Sequence, residues 1–256
     1  MSEIKRLYFD LETSPNVCFT WRTGYKINLD HDNIIHERAI ICVCYKWEKE
    51  SKVHALQWDQ GDDRQLLIDF APIINSADET ASHNGNKFDI KWFNTRNLIH
   101  GLPPLPEYKN VDTLQIARQK FLLNSTRLDY LGKLLLGEGK IRTEFGLWKR
   151  IVLDNDPDAM AEMVAYCRKD VLLLQRIWEK LIVYARLKTH AGVLEGLGRW
   201  SCPHCGNEDV VKSKTRVTPV GIRQHQMNCR GGCHRYYSIS DFVFRQYLEH
   251  RYGVEA

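Results

Sequence analysis

No run in the 256 residues approaches 18 consecutive apolar positions, so no membrane-spanning helix is expected. The opening MSEIKRLYFD has no apolar leader segment, so no secretory signal is expected either. Internal repeats and low-complexity tracts are absent, which excludes a repeat architecture. The expected setting is therefore the cytoplasm. There the eight cysteines are expected as free thiols or metal ligands rather than disulfides.

What is present is globular: 43% hydrophobic and 27% charged residues. The length suits one ordinary domain plus a small second one. The formal charge of +4 is unevenly placed. From residue 199 onward nine Lys/Arg face five Asp/Glu, while the first 198 residues balance at 27 of each. A basic tail suits contact with a polyanion.

The stretch LYFDLETSP (7–15) alternates Leu7, Phe9 and Leu11 with Tyr8, Asp10 and Glu12. A period of two is a strand, so both acids share one face, roughly 6.6 Å apart along it. Two close carboxylates repel, and burying them without partners costs several kcal/mol. A bound cation is the simplest relief.

Further along, residues 14–37 read as an irregular polar loop. RAIICVCYKW (38–47) and KVHALQW (52–58) read as a hairpin, and 62–78 has helical spacing at Leu66, Leu67, Phe70, Ile73 and Ile74. ETASHNG (79–85) reads as a short strand and turn, 87–99 as a helix, and KNVDTL (109–114) as a strand entering the helix LQIARQKF. LDYLGKLLLG (128–137) is a helix closed by Gly137, and Asp156-Pro157 starts a long helix through about Leu187. This pattern is α/β with a mixed sheet. THAGVLEGLG (189–198) reads as a linker, dividing a domain at 1–188 from one at 199–256, and 241–253 reads as a terminal helix.

Three more acids join the first pair. HNGNKFD (83–89) sets Asp89 just inside a helix, after a turn at Asn84 and Gly85. YCRKD (166–170) sets Tyr166 and Asp170 four apart on one helix face. Asp112 is a further candidate, read as a helix cap before Leu114. His83 reads as local structure, and Phe88 and Trp92 as core. The sequence offers no Cys/His cluster near these acids, which argues against zinc there.

The ordered set FDLET, NGNKFD and YCRKD resembles the three motifs of the DEDD, or DnaQ-like, 3′–5′ exonucleases over roughly residues 5–185. The spacing Tyr-x-x-x-Asp points to the tyrosine subclass, found in DNA-polymerase proofreading domains; the histidine subclass would want His at position 165, which is Ala. The VDTLQIAR and RLDYLGKLLLGEGK segments also look like that family.

The resemblance implies a ribonuclease-H-like mixed five-stranded sheet flanked by helices. It implies four metal-binding acids, Asp10, Glu12, Asp89 and Asp170, holding two Mg²⁺ or Mn²⁺. Asp10 would bridge the ions, Glu12 and Asp170 would help hold the tighter one, and Asp89 the second, partly through water. Tyr166 would orient the attacking water. Thr13 and Asn84 are expected to touch substrate.

Chemistry gives independent reasons for such a set. Two metals about 3.5–4 Å apart activate water and support the leaving oxygen, and Mg²⁺ prefers oxygen ligands. Tyr166, with an ordinary pKa of about 10, suits hydrogen bonding better than general base work. The expected activity is 3′–5′ hydrolysis of single-stranded DNA ends, with RNA the alternative strand. The enzyme would be stand-alone or a separate subunit beside a polymerase or other replication or repair protein. The rivals are a junction-resolvase-like endonuclease on the same fold and a non-catalytic nucleic-acid-binding module.

In the tail, CPHC (202–205) and CRGGC (229–233) give Cys-x₂-Cys, a gap of 23, and Cys-x₃-Cys. Four such cysteines read as a structural zinc site in a zinc ribbon, with His234 or His225 as substitutes for Cys233. At this size the metal would supply the folding energy. Lys212, Lys214, Arg216, Arg223, Arg230 and Arg235 with Tyr236 and Tyr237 suit single-stranded nucleic acid; docking to a protein is the rival. Cys18, Cys42, Cys44 and Cys167 read as ordinary buried or incidental thiols.

Overall fold

The computed structural model describes residues 4–253, apart from residues 25, 107–108, 140–142 and 187. The chain divides into two compact units, Lys5–Ala185 and one taking in the chain from Arg186 on.

The first unit is built on a five-stranded sheet. Its strands are β1 (Arg6–Thr13), β4 (Ile40–Trp47), β5 (His54–Gln57), β6 (Glu79–Ser82) and β7 (Asn110–Asp112), in the order β5-β4-β1-β6-β7. β4 runs antiparallel to both β1 and β5, while β1, β6 and β7 are parallel. Helices cover both faces. Leu7, Phe9 and Leu11 pack with Ile40 and Val43 against α1 (Arg64–Asn75) and α2 (Asp89–Ile99), where Phe70 and Phe93 stack with centroids 4.7 Å apart. Tyr8 faces the other way, with Cys42, Cys44, Ala81 and Val111. That face lies under α3 (Thr113–Lys120), α4 (Leu128–Leu136), α5 (Phe145–Leu153) and α6 (Pro157–Leu181). The alternation in β1 thus sends Asp10 and Glu12 toward α6.

At 25 residues α6 is about 37 Å long. Pro157 occupies its first turn, and the Asp156 carboxylate accepts from the N–H groups of Asp158 and Ala159, satisfying donors that a helix start leaves open. α6 ends at Leu181 and continues as one 3-10 turn, Ile182–Tyr184. The α-helix thus stops short of the expected end near Leu187, a residue outside the described ones.

Two other parts depart from expectation. The loop at 14–37 holds a two-stranded hairpin, β2 (Val17–Cys18) with β3 (Ile34–His36), around a 3-10 turn at His31–Asn33 capped by Asp30. α5 falls in a stretch for which no helix is expected; Leu147 and Ile151, four apart, bury its inner face. Behind the sheet, Asp63 joins three elements. It takes two bonds from Arg96 at 2.7 and 2.8 Å, one from His100 at 2.6 Å and one from the Ile40 N–H at 2.8 Å. Burial opposes ionisation of Asp63, yet these donors, led by Arg96, hold its carboxyl below the usual range.

The second unit has a three-stranded antiparallel sheet of β8 (Val210–Val217), β9 (Arg223–Cys229) and β10 (Tyr236–Ser240), with β9 central. Residues 189–198, expected as a linker, carry the one-turn helix α7 (Ala191–Leu194) and fold into this unit: the Ala191 N–H bonds the Pro203 carbonyl at 3.0 Å. The terminal helix α8 (Asp241–Tyr252) lays Val243, Phe244 and Tyr247 against Trp200, Val210, Met227 and Ile239. The small unit therefore has an apolar core of its own, modest as it is.

Candidate metal centre and active site

Asp10, Glu12 and Asp170 come together: each offers a carboxylate oxygen, and these oxygens lie within 4.8 Å of one another. β1 supplies the first two, half-buried, and α6 supplies Asp170, 2% exposed. Such a group repels itself unless a cation screens it. Its all-oxygen donor set fits a hard divalent ion, Mg²⁺ or Mn²⁺, which would be held by these three carboxylates.

Asp89 lies outside the 4.8 Å group. It is 2% exposed in the first turn of α2, where a helix N-terminus favours negative charge. Because β6 runs parallel to β1, the turn that follows β6 and leads to Asp89 emerges at the same sheet edge as the Asp10 end of β1. Tyr166 lies one turn before Asp170 on α6, half-buried against the core. Beside Asp170 a cavity of about 440 Å³ is lined by Glu138, Lys169, Leu173 and Arg176.

The NGNKFD turn is held by residues far away in sequence. Asn84 adopts a left-handed φ of 72°. At Gly85 an added Cβ would lie 2.0 Å from the Ser82 hydroxyl, so only glycine fits. Asp112 caps α3 through the Leu114 and Gln115 N–H groups, as its position implies, and it also takes the Asn84 N–H at 2.9 Å. His83 bonds the Thr113 hydroxyl at 2.9 Å, a local structural role.

Thr13 ends β1 at a register shift between Glu12 and Thr13. Its hydroxyl accepts from Arg38 at 2.8 Å and its carbonyl from the Trp148 indole N–H at 3.1 Å. Arg38 in turn lies over the Trp92 ring at 4.5 Å, and Phe88 packs with Trp92 against the core. Trp148 and Arg38 thus fix the end of the acid-bearing strand. The sequence reading passed over both; the only signal was an indole beside Lys149 and Arg150 in the run FGLWKRIVL.

The expectation of no Cys/His cluster near the acids does not hold. Cys42, Cys44 and Cys167 are fully buried, and their sulfurs lie within 4.8 Å of one another. Cys167 Sγ lies 3.5 Å from the Asp10 carbonyl oxygen and 3.9 Å from its carboxylate. Cys44 and Cys42 stand opposite Asp10 and Glu12 in the β1–β4 register, so all four share a sheet face. Burial pushes the Cys167 thiol well up.

Residues 7–182 match the family described as RNase_H_2, of the RNase_H superfamily. The chain belongs to the RNase_H superfamily. No curated protein matches it. Among solved structures it is similar to the family B DNA polymerase from the hyperthermophilic archaeon Pyrobaculum calidifontis, at 16% identity and a TM-score of 0.54. That likeness covers 71% of this chain and 25% of the polymerase, and it supports the fold. Among the described residues of this RNase_H-superfamily chain, no helix is long and apolar enough to cross a membrane.

In its second unit Cys202, Cys205, Cys229 and Cys233 bring their sulfurs within 4.8 Å. Cys202 and Cys233 are 3.5 Å apart, and Cys205 and Cys229 3.7 Å. Tetrahedral zinc–sulfur bonds of about 2.3 Å imply sulfurs about 3.8 Å apart, so the group is compatible with one zinc ion. The three-residue spacing of the second pair works because Gly232 packs against the sulfurs: an added Cβ would lie 2.8 Å from Cys205 Sγ. Neither alternative ligand joins. His225 is buried, bonding Asp241 at 2.9 Å and stacking on Phe244, and His234 is exposed. Lys212, Lys214 and Arg216 are exposed along β8, with the Lys212 ammonium over Phe244 at 5.1 Å.

Proposed function

We propose that this chain is a metal-dependent nuclease of the DnaQ-like tyrosine subclass, hydrolysing single-stranded DNA from its 3′ end. The observation that carries the reading is the approach of the Asp10, Glu12 and Asp170 carboxylates, with Tyr166 one turn from Asp170 and Asp89 in the turn region at the same sheet edge. Two divalent ions would supply an activated water and charge stabilisation at the leaving 3′-oxygen. The carboxylates hold and orient that chemistry, and the Tyr166 hydroxyl positions the water by hydrogen bonding. Asn84 orients the terminal nucleotide from the turn before α2, and Thr13 does so through the strand end it anchors.

The second unit, with one structural zinc on its four cysteines, offers Lys212, Lys214 and Arg216 to the phosphates of the strand. The likeness to a DNA polymerase favours DNA over RNA and a replication or repair setting, with the protein acting alone or as a subunit beside a polymerase. Linear and covalently closed single-stranded DNA of one sequence test the reading. The linear strand should be degraded with Mg²⁺ and the circle left intact; a cut circle would make the protein an endonuclease.

A further inference from the structure

The three thiols beneath Asp10 do nothing in the chemistry above. Cys42 and Cys44 come from β4 and Cys167 from α6, more than 120 positions away, yet all three are 0% exposed and mutually within 4.8 Å. Among the described residues no further cysteine, histidine or carboxylate lies within that distance of all three sulfurs; the Asp10 carboxylate stands 3.9 Å from Cys167 Sγ. Zinc in structural sites almost always takes four ligands, so three fully buried sulfurs suit a soft cation that accepts trigonal thiolate coordination. Soft thiolate donors select Cu(I).

We propose that Cys42, Cys44 and Cys167 form a Cu(I) site that, when filled, disables the carboxylate centre. Binding replaces the thiol protons, which leave to solvent, with three copper–sulfur bonds. No electron is transferred. Drawing Cys167 onto the metal removes its contacts at 3.5 and 3.9 Å to the Asp10 carbonyl and carboxylate, and fixes the Cys44 and Cys42 side chains on the face that carries Asp10 and Glu12. A site that needs its carboxylates held to within about 0.5 Å does not tolerate such a shift. Copper is therefore expected to lower turnover at least tenfold. This inhibitory arm rests on the nuclease reading; the binding arm does not.

The test uses the full zinc-loaded chain, titrated anaerobically with Cu(I) against a chromogenic Cu(I) chelator while bound zinc is followed by metal analysis. The chain is also refolded from urea with zinc and Cu(I) both present, which removes the barrier to entry. The expected result is one Cu(I) per chain with zinc retained, three sulfurs at the copper by X-ray absorption, and no such copper in Cys44→Ala or Cys167→Ala variants that keep their zinc and a cooperative melt. Failure of both titration and refolding to load copper, or equal copper in wild type and both variants, would overturn the site. Copper that binds in wild type yet leaves cleavage unchanged would overturn the inhibition while leaving the nuclease reading intact. Absence of any cleavage without copper would instead count against the nuclease reading.

Discussion

In the unit from Lys5 to Ala185, Asp10 and Glu12 on the sheet and Asp170 on α6 meet in a fold whose two apolar cores are complete without them: Phe9, Phe70 and Phe93 close one side of the sheet, and Tyr8, Val171 and Ile177 the other. In the unit from Arg186 on, Cys202 and Cys229 are part of the small core, beside Trp200, Val210 and Met227. Both units gather metal-binding side chains within 4.8 Å, but the energetic sign differs. The acids repel one another and burden a fold that apolar burial sustains, whereas the cysteines, with a zinc between them, would tie together a fold whose own apolar core is small. A metal on the first set would serve chemistry; a metal on the second would serve folding.

The sharpest way to break that contrast is to remove the zinc. Structural zinc sites contribute on the order of 10 kcal/mol, so Cys202→Ser should release about one zinc per chain and unfold the second unit. The cooperative melt of the first unit should survive. The check is metal analysis beside calorimetry, and two intact transitions in the variant would show that the apolar core of the second unit suffices.

Next in size is Asp63→Ala. It leaves the Arg96 guanidinium buried without its carboxylate, which should cost the first unit about 3–5 kcal/mol, read by urea unfolding. The same carboxyl sets an acid limit. Its folded pKa is depressed, so its stabilisation is complete above the ordinary value near 3.9 and is lost as pH falls through the lower folded value. The Tm of wild type should therefore fall across that window, and a single-residue replacement Asp63→Asn should flatten the fall. An unchanged pH profile would remove Asp63 from the account.

Smallest is Tyr166→Phe. Cleavage should slow roughly tenfold, about 1.4 kcal/mol, with Tm unchanged, because the ring still packs against the core. Complete loss of cleavage would give the hydroxyl a larger part than orientation, and no change would reduce it to packing.

Much of the first unit was readable in advance because its signals are local. The alternation of LYFDLET gave β1 and the shared face of its acids; Asp156-Pro157 gave the start of α6; the expected strand pairing and helices fell within a few residues of their observed bounds. What was not readable depends on contacts distant in sequence. Asp112 was expected as a cap, but its bond to the Asn84 N–H spans 28 positions. Thr13 was expected at the substrate, and its bonds to Arg38 and Trp148, which reach 25 and 135 positions away, carry no local signal.

The hairpin of β2 and β3 has two and three residues, too short for a period to register. The cluster of Cys42, Cys44 and Cys167 has no spacing motif, since only the packing of α6 on the sheet assembles it. Its one local trace was that Cys42 and Cys44 alternate as Asp10 and Glu12 do. The approach of Cys202, Cys205, Cys229 and Cys233 was readable because two tight pairs carry their own spacing.

The most direct test of the central claim pairs cleavage with stability in Asp10→Ala. A 5′-labelled single-stranded DNA oligonucleotide is incubated with wild type and variant in Mg²⁺ and in EDTA, and both proteins are melted without metal. Wild type should give a ladder shortening from the 3′ end, absent in EDTA and reduced at least a thousandfold in the variant, about 4 kcal/mol. The Tm of the variant should equal or exceed that of wild type, because carboxylate repulsion is relieved. A variant that cleaves at the normal rate, or one that loses activity only by losing its fold, would contradict the account.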